Sequence, residues 1–103
     1  MDSETSRIAG RFAMRIKKAY APARVLLFGS RARGNNFKKS DFDFIIVSRK
    51  FSGVRFVERP AGIYEYWDEA VDIDAVCFTP EEFERKSRQY GTVRNAVGAC
   101  VEL

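Results

Sequence analysis

Two segments of the sequence each carry a pair of aspartates, two positions apart, at or near their start and continue as an apolar run. They are residues 41–47, which begin with Asp41 and Asp43, and residues 71–78, which include Asp72 and Asp74. Alternate residues of a β-strand point to the same face, so each pair of carboxylates is expected to lie side by side. Aspartate is a poor strand former and neighbouring like charges repel, so these strands are expected to carry an acidic end that binds a cation.

The rest of the chain is patterned as short helices and strands. Apolar periodicity and turn residues predict helices over about residues 4–20, 31–34, 61–67, 80–89 and 92–99, and strands over about residues 24–28, 41–47, 71–78 and 100–103. Ser30 is a candidate N-cap for the second helix, and Thr79-Pro80-Glu81-Glu82 is a capping box for the fourth. This order predicts a single α+β domain over residues 1–103, a two-layer fold with helices packed on a small mixed sheet.

Composition excludes several classes of protein. The 103 residues are 46% hydrophobic and 31% charged, which is typical of a folded domain and not of a disordered or collagenous chain. No apolar run approaches the roughly 18 residues of a membrane span, and no apolar segment of a secretion signal follows the polar first residues, so a cytoplasmic location is expected. Cys77 and Cys100 are expected to be reduced core residues. Homo-oligomerisation or a partner chain would enlarge so small a core, and composition does not choose between them.

Charge is unevenly distributed along the chain. Residues 1–59 hold 14 Lys and Arg and 5 Asp and Glu, whereas residues 60–103 hold 4 and 9. A basic half is typical of a protein that meets a polyanion, such as nucleotide phosphates, nucleic acid or an anionic surface. Solvated helix faces are the alternative for the arginines of the first predicted helix.

A Gly29-Ser30 turn links the first predicted strand to the short helix that follows. Glycine lets a phosphate approach the backbone, and the free N–H groups of a helix start, together with the serine hydroxyl, can hold phosphate oxygens. Arg31 and Arg33 add positive charge that suits the same ligand. A Gly-Ser turn before a helix is also common in proteins where it has only a structural role. The interpretation as a phosphate site therefore depends on which residues lie beside the turn.

Carboxylates beside this turn would complete a site for phosphoryl transfer. Mg²⁺ prefers carboxylate oxygens together with substrate phosphates, and a cluster of carboxylates that holds two such ions is what two-metal chemistry uses. Asp41, Asp43 and Asp74 are the candidate metal ligands, while Asp72 is left undecided between a ligand and an exposed strand start. The chain has no histidine, so a metal-activated hydroxyl is the chemistry that these residues allow.

These motifs resemble a known family. Gly29-Ser30, ten intervening residues and Asp41-Phe42-Asp43 match the signature of the DNA polymerase β-like nucleotidyltransferase superfamily. The run Gly29–Gly34 and the segment Val71–Phe83 are more closely similar to the minimal nucleotidyltransferases (MNT, or MntA-like antitoxins), which are small one-domain prokaryotic proteins. The resemblance covers about residues 5–103, nearly the whole chain.

The resemblance implies roles for the residues and a partner for the protein. Gly29 and Ser30, assisted by Arg31, would hold the β- and γ-phosphates of an NTP, and the three candidate metal ligands would bind two Mg²⁺ ions, or Mn²⁺ in their place. It implies transfer of an NMP, with AMP from ATP as the expected case, to a hydroxyl with release of pyrophosphate. Many members of the family adenylylate a tyrosine of a HEPN-domain ribonuclease toxin, so the resemblance implies such a toxin as partner and an antitoxin role.

Three other functions are compatible with parts of the pattern. Gly29 and Gly34 have the spacing of a P-loop, but Asn35 and Asn36 stand where that motif needs Lys and then Ser or Thr. A catalytically inert protein of the same fold would neutralise a toxin by binding alone. The basic half would suit direct binding of nucleic acid, although the aromatic residues alternate as core residues do and no nucleic-acid-binding motif is present.

Overall fold

The computed structural model describes residues 1–89 and 100–103. Its elements are α1 Ser3–Ala19, β1 Ala23–Phe28, α2 Gly29–Arg33, β2 Phe42–Ser48, α3 Arg59–Tyr64, β3 Ile73–Phe78, α4 Pro80–Gln89 and β4 Val101–Glu102. Two single-turn 3₁₀ helices, Arg49–Phe51 and Phe56–Glu58, lie between β2 and α3. The helix predicted over residues 92–99 lies outside the described residues. None of the helices in this described part is long and apolar enough to cross a membrane.

The four strands form one mixed sheet in the order β3-β2-β1-β4. β1 is antiparallel to both β2 and β4, and β2 is parallel to β3. The parallel pair is connected through α3, since parallel neighbours need a crossover connection. The predicted α+β fold with helices on a small mixed sheet is therefore confirmed, and a short edge strand forms within the predicted residues 100–103.

The amphipathic helix α1 covers one face of the sheet. Asp2 caps it by accepting a hydrogen bond from Thr5 N at 2.7 Å, and its buried side chains recur at the helical period. These side chains pack on an aromatic cluster, in which the Phe12 ring lies 4.7 Å from Phe44 and 5.2 Å from Trp67. Burial of large aromatic side chains supplies much of the core of a domain of this size.

Helix α4 covers part of the other face. Thr79 and Glu82 form the predicted capping box, in which Thr79 N donates to Glu82 Oε1 at 2.8 Å and Glu82 N donates to Thr79 Oγ1 at 3.2 Å. Phe83, one residue later, packs against the sheet in a second apolar cluster. Apolar side chains therefore occupy both faces of the sheet along most of its length.

Two helix predictions are wrong in detail. α2 begins at Gly29, so Ser30 lies inside its first turn and does not cap it. The helix predicted over residues 61–67 ends at Tyr64. The chain turns there, because the Trp67 indole packs into the core and donates its N–H to Val71 O at 2.8 Å.

The strands that carry the aspartates are shorter at their starts than predicted. β2 and β3 begin at residues 42 and 73, so Asp41 and Asp72 each precede a strand by one residue. Phe42 N donates to Asp72 O at 3.0 Å, which joins the two strand starts. The second aspartate of each pair therefore lies in the sheet, and the first lies just outside it.

Both cysteines are free thiols, with Cys77 buried and Cys100 half-buried. Burial raises the pKa of the Cys77 thiol to about 12, so it stays protonated and unreactive at neutral pH. Cys77 therefore lies in the core as predicted, whereas Cys100 is only half-buried.

Candidate active site

The aspartates and the Gly29-Ser30 turn meet at one end of the sheet. β1 ends at Phe28, which pairs with Asp43 in the antiparallel strand β2. Asp43 in turn pairs with Asp74 in the parallel strand β3. The turn that leaves β1 therefore lies beside the strand starts that carry these two carboxylates.

Gly29 lies directly against Asp43. Its φ of +75° belongs to the left-handed region, which residues other than glycine rarely adopt. A Cβ atom on Gly29 would lie 2.5 Å from Asp43 Oδ2. The backbone of the turn and this carboxylate thus approach each other more closely than any larger residue would allow.

Ser30 is held in place by the short helix α2. Its carbonyl accepts hydrogen bonds from Gly34 N at 2.9 Å and from Asn35 N at 3.2 Å. Gly34 ends the helix in the left-handed conformation, with φ of +81°. These bonds fix the Ser30 backbone at the end of β1, with its side chain half-buried.

The pKa of Asp43 is shifted by the other carboxylates at this end of the sheet. Burial raises the pKa of Asp43, and the charges of Asp74 and Asp41 raise it further, while Arg33 opposes them. Repulsion of this kind requires the carboxylates to lie near one another. Their ionisation therefore concentrates negative charge that a cation would neutralise.

The structure separates the two aspartates of the second pair. Asp74 lies in β3 as the register partner of Asp43, whereas Asp72 precedes the strand and contributes its carbonyl to the Phe42 N–H. The side chains of Asp72 and Asp74 are both exposed. The register thus sets Asp74, the candidate ligand chosen from the sequence, beside Asp43, while Asp72, whose part in the site the sequence left open, lies outside the strand.

Arg31 is placed differently from the phosphate-binding role expected of it. The residue is 2% exposed, and its guanidinium lies 4.2 Å from the centroid of the Phe42 ring. Its Nη1 donates to Thr5 Oγ1 at 2.8 Å, its Nε to Ser40 O at 3.1 Å and its Nη2 to Lys38 O at 3.0 Å. These contacts make Arg31 an internal tie between α1 and the loop that precedes β2.

Arg33, one of the two arginines expected to suit a phosphate ligand, is exposed, and its charge opposes the raised pKa of Asp43. One residue near the site was not identified from the sequence. Thr5 is a fully buried threonine that accepts the hydrogen bond from Arg31. A signal for Thr5 was present, because it lies three residues before Ile8 on the buried stripe of α1.

The donor set suits a hard divalent cation, since Mg²⁺ and Mn²⁺ bind carboxylate and phosphate oxygens. Asp43 and Asp74 are register partners, and Asp74 and Asp41 both act electrostatically on Asp43. Within residues 1–89 and 100–103, no three His, Cys, Asp or Glu side chains are drawn together tightly enough to enclose an ion. The carboxylates thus fit a cation by their chemistry and by their position in the register, although their side chains do not enclose a site.

Comparisons with known proteins show the family and the fold. The family model described as a nucleotidyltransferase domain matches residues 10–97. Among solved structures, the chain is similar to a candidate nucleotidyltransferase from Sulfolobus solfataricus, with 23% sequence identity and a TM-score of 0.57 over 80% of this chain and 77% of that one. A likeness at this level of identity shows a shared fold. No curated protein matches the chain.

Proposed function

The chain belongs to the nucleotidyltransferase domain family, and from this premise we propose that it transfers an NMP from an NTP to an acceptor hydroxyl. The observation that carries the proposal is the register that sets Asp43 beside Asp74 and against the backbone of Gly29. Carboxylates suited to a divalent cation thereby lie next to a turn suited to phosphate oxygens. We therefore assign the acidic end of the sheet as the active site.

Each part of this site has a proposed role. Backbone N–H groups of the turn and the Ser30 hydroxyl are suitable donors to the β- and γ-phosphate oxygens. Asp41, Asp43 and Asp74 would hold Mg²⁺ or Mn²⁺ ions. Bound ions neutralise phosphate charge and lower the pKa of the attacking hydroxyl.

The two arginines of α2 have different proposed roles. Arg33 is exposed and lies near enough to Asp43 to lower its pKa, so it is the basic side chain available to the nucleotide. Arg31 is a positioning residue, because its donors hold the backbone at Lys38 and Ser40 in the loop that leads into β2.

The reaction is a displacement at the α-phosphorus. A bond forms from the acceptor oxygen to the α-phosphorus, the bond from that phosphorus to the oxygen bridging to the β-phosphate breaks, and pyrophosphate leaves. The hydroxyl proton passes to the Asp74 carboxylate. Positioning and charge neutralisation supply most of the acceleration in such reactions, so loss of one carboxylate should lower the rate by orders of magnitude.

For the substrates, we propose ATP as the donor and a protein hydroxyl as the acceptor, with a tyrosine of a HEPN-domain ribonuclease toxin in the antitoxin case. The resemblance of Gly29–Gly34 and Val71–Phe83 to the minimal nucleotidyltransferases supports this choice. The basic balance of residues 1–59 suits a nucleotide substrate.

Transfer of label from α-³²P-ATP tests the reaction. The purified protein is incubated with Mg²⁺, the labelled nucleotide and desalted soluble proteins of its source cells, and labelled bands are separated on a denaturing gel. Asp43→Asn should lower the labelling by about a hundredfold or more, and chelation of the metal should abolish it.

Two controls make this experiment specific. Glu81→Gln removes one exposed carboxylate from the first turn of α4, which follows the opposite end of β3 from Asp74, so it should label acceptors as the wild type does. γ-³²P-ATP should leave no label, because its γ-phosphate departs with pyrophosphate. Undiminished labelling by Asp43→Asn, or labelling from the γ-position, would contradict the proposed reaction.

A further inference from the structure

We propose that the loop between α2 and β2 docks an acidic, aromatic-containing segment of the acceptor protein. We name Phe37, Lys38, Lys39 and the cleft beside them the loop surface. This inference rests on the proposed function, which supplies a protein acceptor. It adds the place where that acceptor binds and the chemistry that selects it.

Phe37 has a large apolar side chain that is exposed to solvent. The residue is 84% exposed, although the turn that carries it is well ordered by hydrogen bonds. Phe37 N donates to Ser40 Oγ at 2.8 Å and Ser40 N donates to Phe37 O at 3.1 Å, so Lys38 and Lys39 form the tip of the turn. An aromatic ring presented in this way gains free energy when the side chain of a partner covers it.

Hydrogen bonds from neighbouring side chains also hold the loop surface in place. Arg31, which is buried, donates to the carbonyls of Lys38 and Ser40, and its Nη1 is anchored on Thr5. Asn36 Nδ2 donates to Phe37 O at 3.1 Å from the solvent side. A loop that is ordered before binding loses less conformational entropy when a partner arrives, which favours its use as a binding surface.

A cleft of about 690 Å³ adjoins the two lysines. Its other walls are Glu4 of α1 and residues 70–72, including Asp72. Asp72 lies where β3 begins and is hydrogen-bonded to Phe42 through its carbonyl, so the cleft opens beside the proposed active site. A segment bound in the cleft would bring neighbouring residues, including a tyrosine, towards Asp74.

Charge selects the occupant of the loop surface. Lys38 and Lys39 are exposed, and neither forms an ion pair with the part of the chain that the structure describes. Their charges attract carboxylates and steer an acidic segment to the loop. Glu4 and Asp72 in the same cleft would repel any anionic group placed against them, but a peptide can set its carboxylates at the lysines and donate its backbone N–H groups to Glu4 and Asp72. A nucleic-acid backbone carries a phosphate charge at every unit and has no such arrangement. The mixture of charges therefore favours an acidic peptide over nucleic acid.

Fluorescence anisotropy tests the loop surface without catalysis. The probe is a fluorescein-labelled peptide of sequence EELYEELYEE, titrated with the protein at low ionic strength in the absence of nucleotide and metal. The double variant Lys38→Glu/Lys39→Glu should bind it roughly tenfold more weakly or worse than the wild type. Phe37→Ala should bind about fivefold more weakly, because the ring no longer contacts the leucine and tyrosine of the peptide.

A matched variant controls for net charge. Lys17→Glu/Lys18→Glu makes the same charge change in the last turn of α1 and should bind as the wild type does. Equal weakening by both charge-reversal variants would overturn the proposal, as would the absence of peptide binding by the wild type. Tighter binding of a labelled oligoadenylate RNA of the same length would overturn it in favour of nucleic acid.

The same assay tests the loop surface independently of the proposed reaction. Asp43→Asn should bind the peptide at least as well as the wild type, because it leaves the loop residues unchanged. Intact peptide binding without label transfer by the wild type would contradict the reaction alone. Label transfer without peptide binding would contradict the loop surface alone.

Discussion

Two groups of charged side chains in this molecule have opposite electrostatic character. At the acidic end of the sheet, Asp41, Asp43 and Asp74 bring like charges together, and burial with this repulsion raises the pKa of Asp43. At the start of α4, Arg59 and Glu82 form an ion pair with 2.5 Å between Nη1 and Oε1. There the Arg59 guanidinium lowers the pKa of Glu82 to about 2.

The difference distinguishes an ion pair that stabilises the fold, at Arg59 and Glu82, from a candidate binding site at the acidic end of the sheet. Arg59 is 7% exposed and also donates to Val54 O at 2.9 Å and to Cys77 O at 3.1 Å, so it ties the segment before α3 to β3 and α4. Its charge and its donors are satisfied within the protein. The acidic end instead holds charge that destabilises the fold, which is characteristic of sites where a ligand removes the repulsion on binding.

Loss of Arg59 should have the largest effect on stability. Arg59→Leu leaves the Glu82 carboxylate and two backbone carbonyls without their donor, so the free energy of unfolding should fall by about 3 kcal/mol. The matched control is Arg55→Leu, whose exposed ion pair with Glu58 should contribute less than about 0.5 kcal/mol. Urea denaturation measures both variants, and similar losses would show that the two ion pairs do not differ.

The ion pair should also make stability depend on pH in the acidic range. The pKa of Glu82 is about 2 in the folded protein against an ordinary value of 4.5, so its contribution is complete above 4.5 and is lost as the pH falls towards 2. At neutral pH, Glu82→Gln should unfold with on the order of 1–2 kcal/mol less free energy than the wild type. That difference should shrink towards zero across the same interval in acid titrations. A difference that persisted at the acid end would contradict the assigned pKa.

Asp43→Asn should have the smallest effect, and with the opposite sign. The variant keeps the shape of the side chain and removes one of the like charges, so it should be more stable at neutral pH by up to about 1 kcal/mol. Because the pKa of Asp43 is raised on folding, its ionisation opposes folding, and the gain should disappear as the pH falls below the ordinary value of 3.8. Thermal denaturation at several pH values measures the gain. A variant less stable than the wild type would show that the acidic end does not hold unfavourable charge.

Asp43→Asn also tests whether a metal ion binds at the acidic end of the sheet. Mg²⁺ should raise the melting temperature of the wild type, because an ion that binds only the folded state stabilises it. The increase should be absent in Asp43→Asn and retained in Asp72→Asn. An equal increase in all three proteins would place the ion away from the acidic end.

Local patterns predicted the framework of the site well. The alternation in residues 41–47 predicted a strand because one side of it must be buried, and Phe42 and Phe44 of β2 do lie in the core. The capping box at Thr79 and Glu82 was predictable because all of its contacts are local. Whether Asp72 joins Asp74 in the site was not predictable, since the start of β3 is set by pairing with a strand distant in sequence.

Arg31 shows what residue type alone does not reveal. An arginine beside a Gly-Ser turn suggests a phosphate ligand, but the direction of its side chain is set by α2, which turns it towards Phe42 and Thr5. Thr5 is separated from it by 26 positions in the chain, so no local pattern reveals the contact. Arg33, two residues later, is exposed instead.

The hydrogen bond between Arg31 and Thr5 links the loop before β2 to the first turn of α1. Asp2 adds to it by capping that turn and by accepting a hydrogen bond from Asn36 in the loop. Trimming of the first five residues would therefore remove two supports of the loop that carries Lys38 and Lys39 without altering a residue of it. Kinetic comparisons between preparations are meaningful only when they share the same amino-terminal residues.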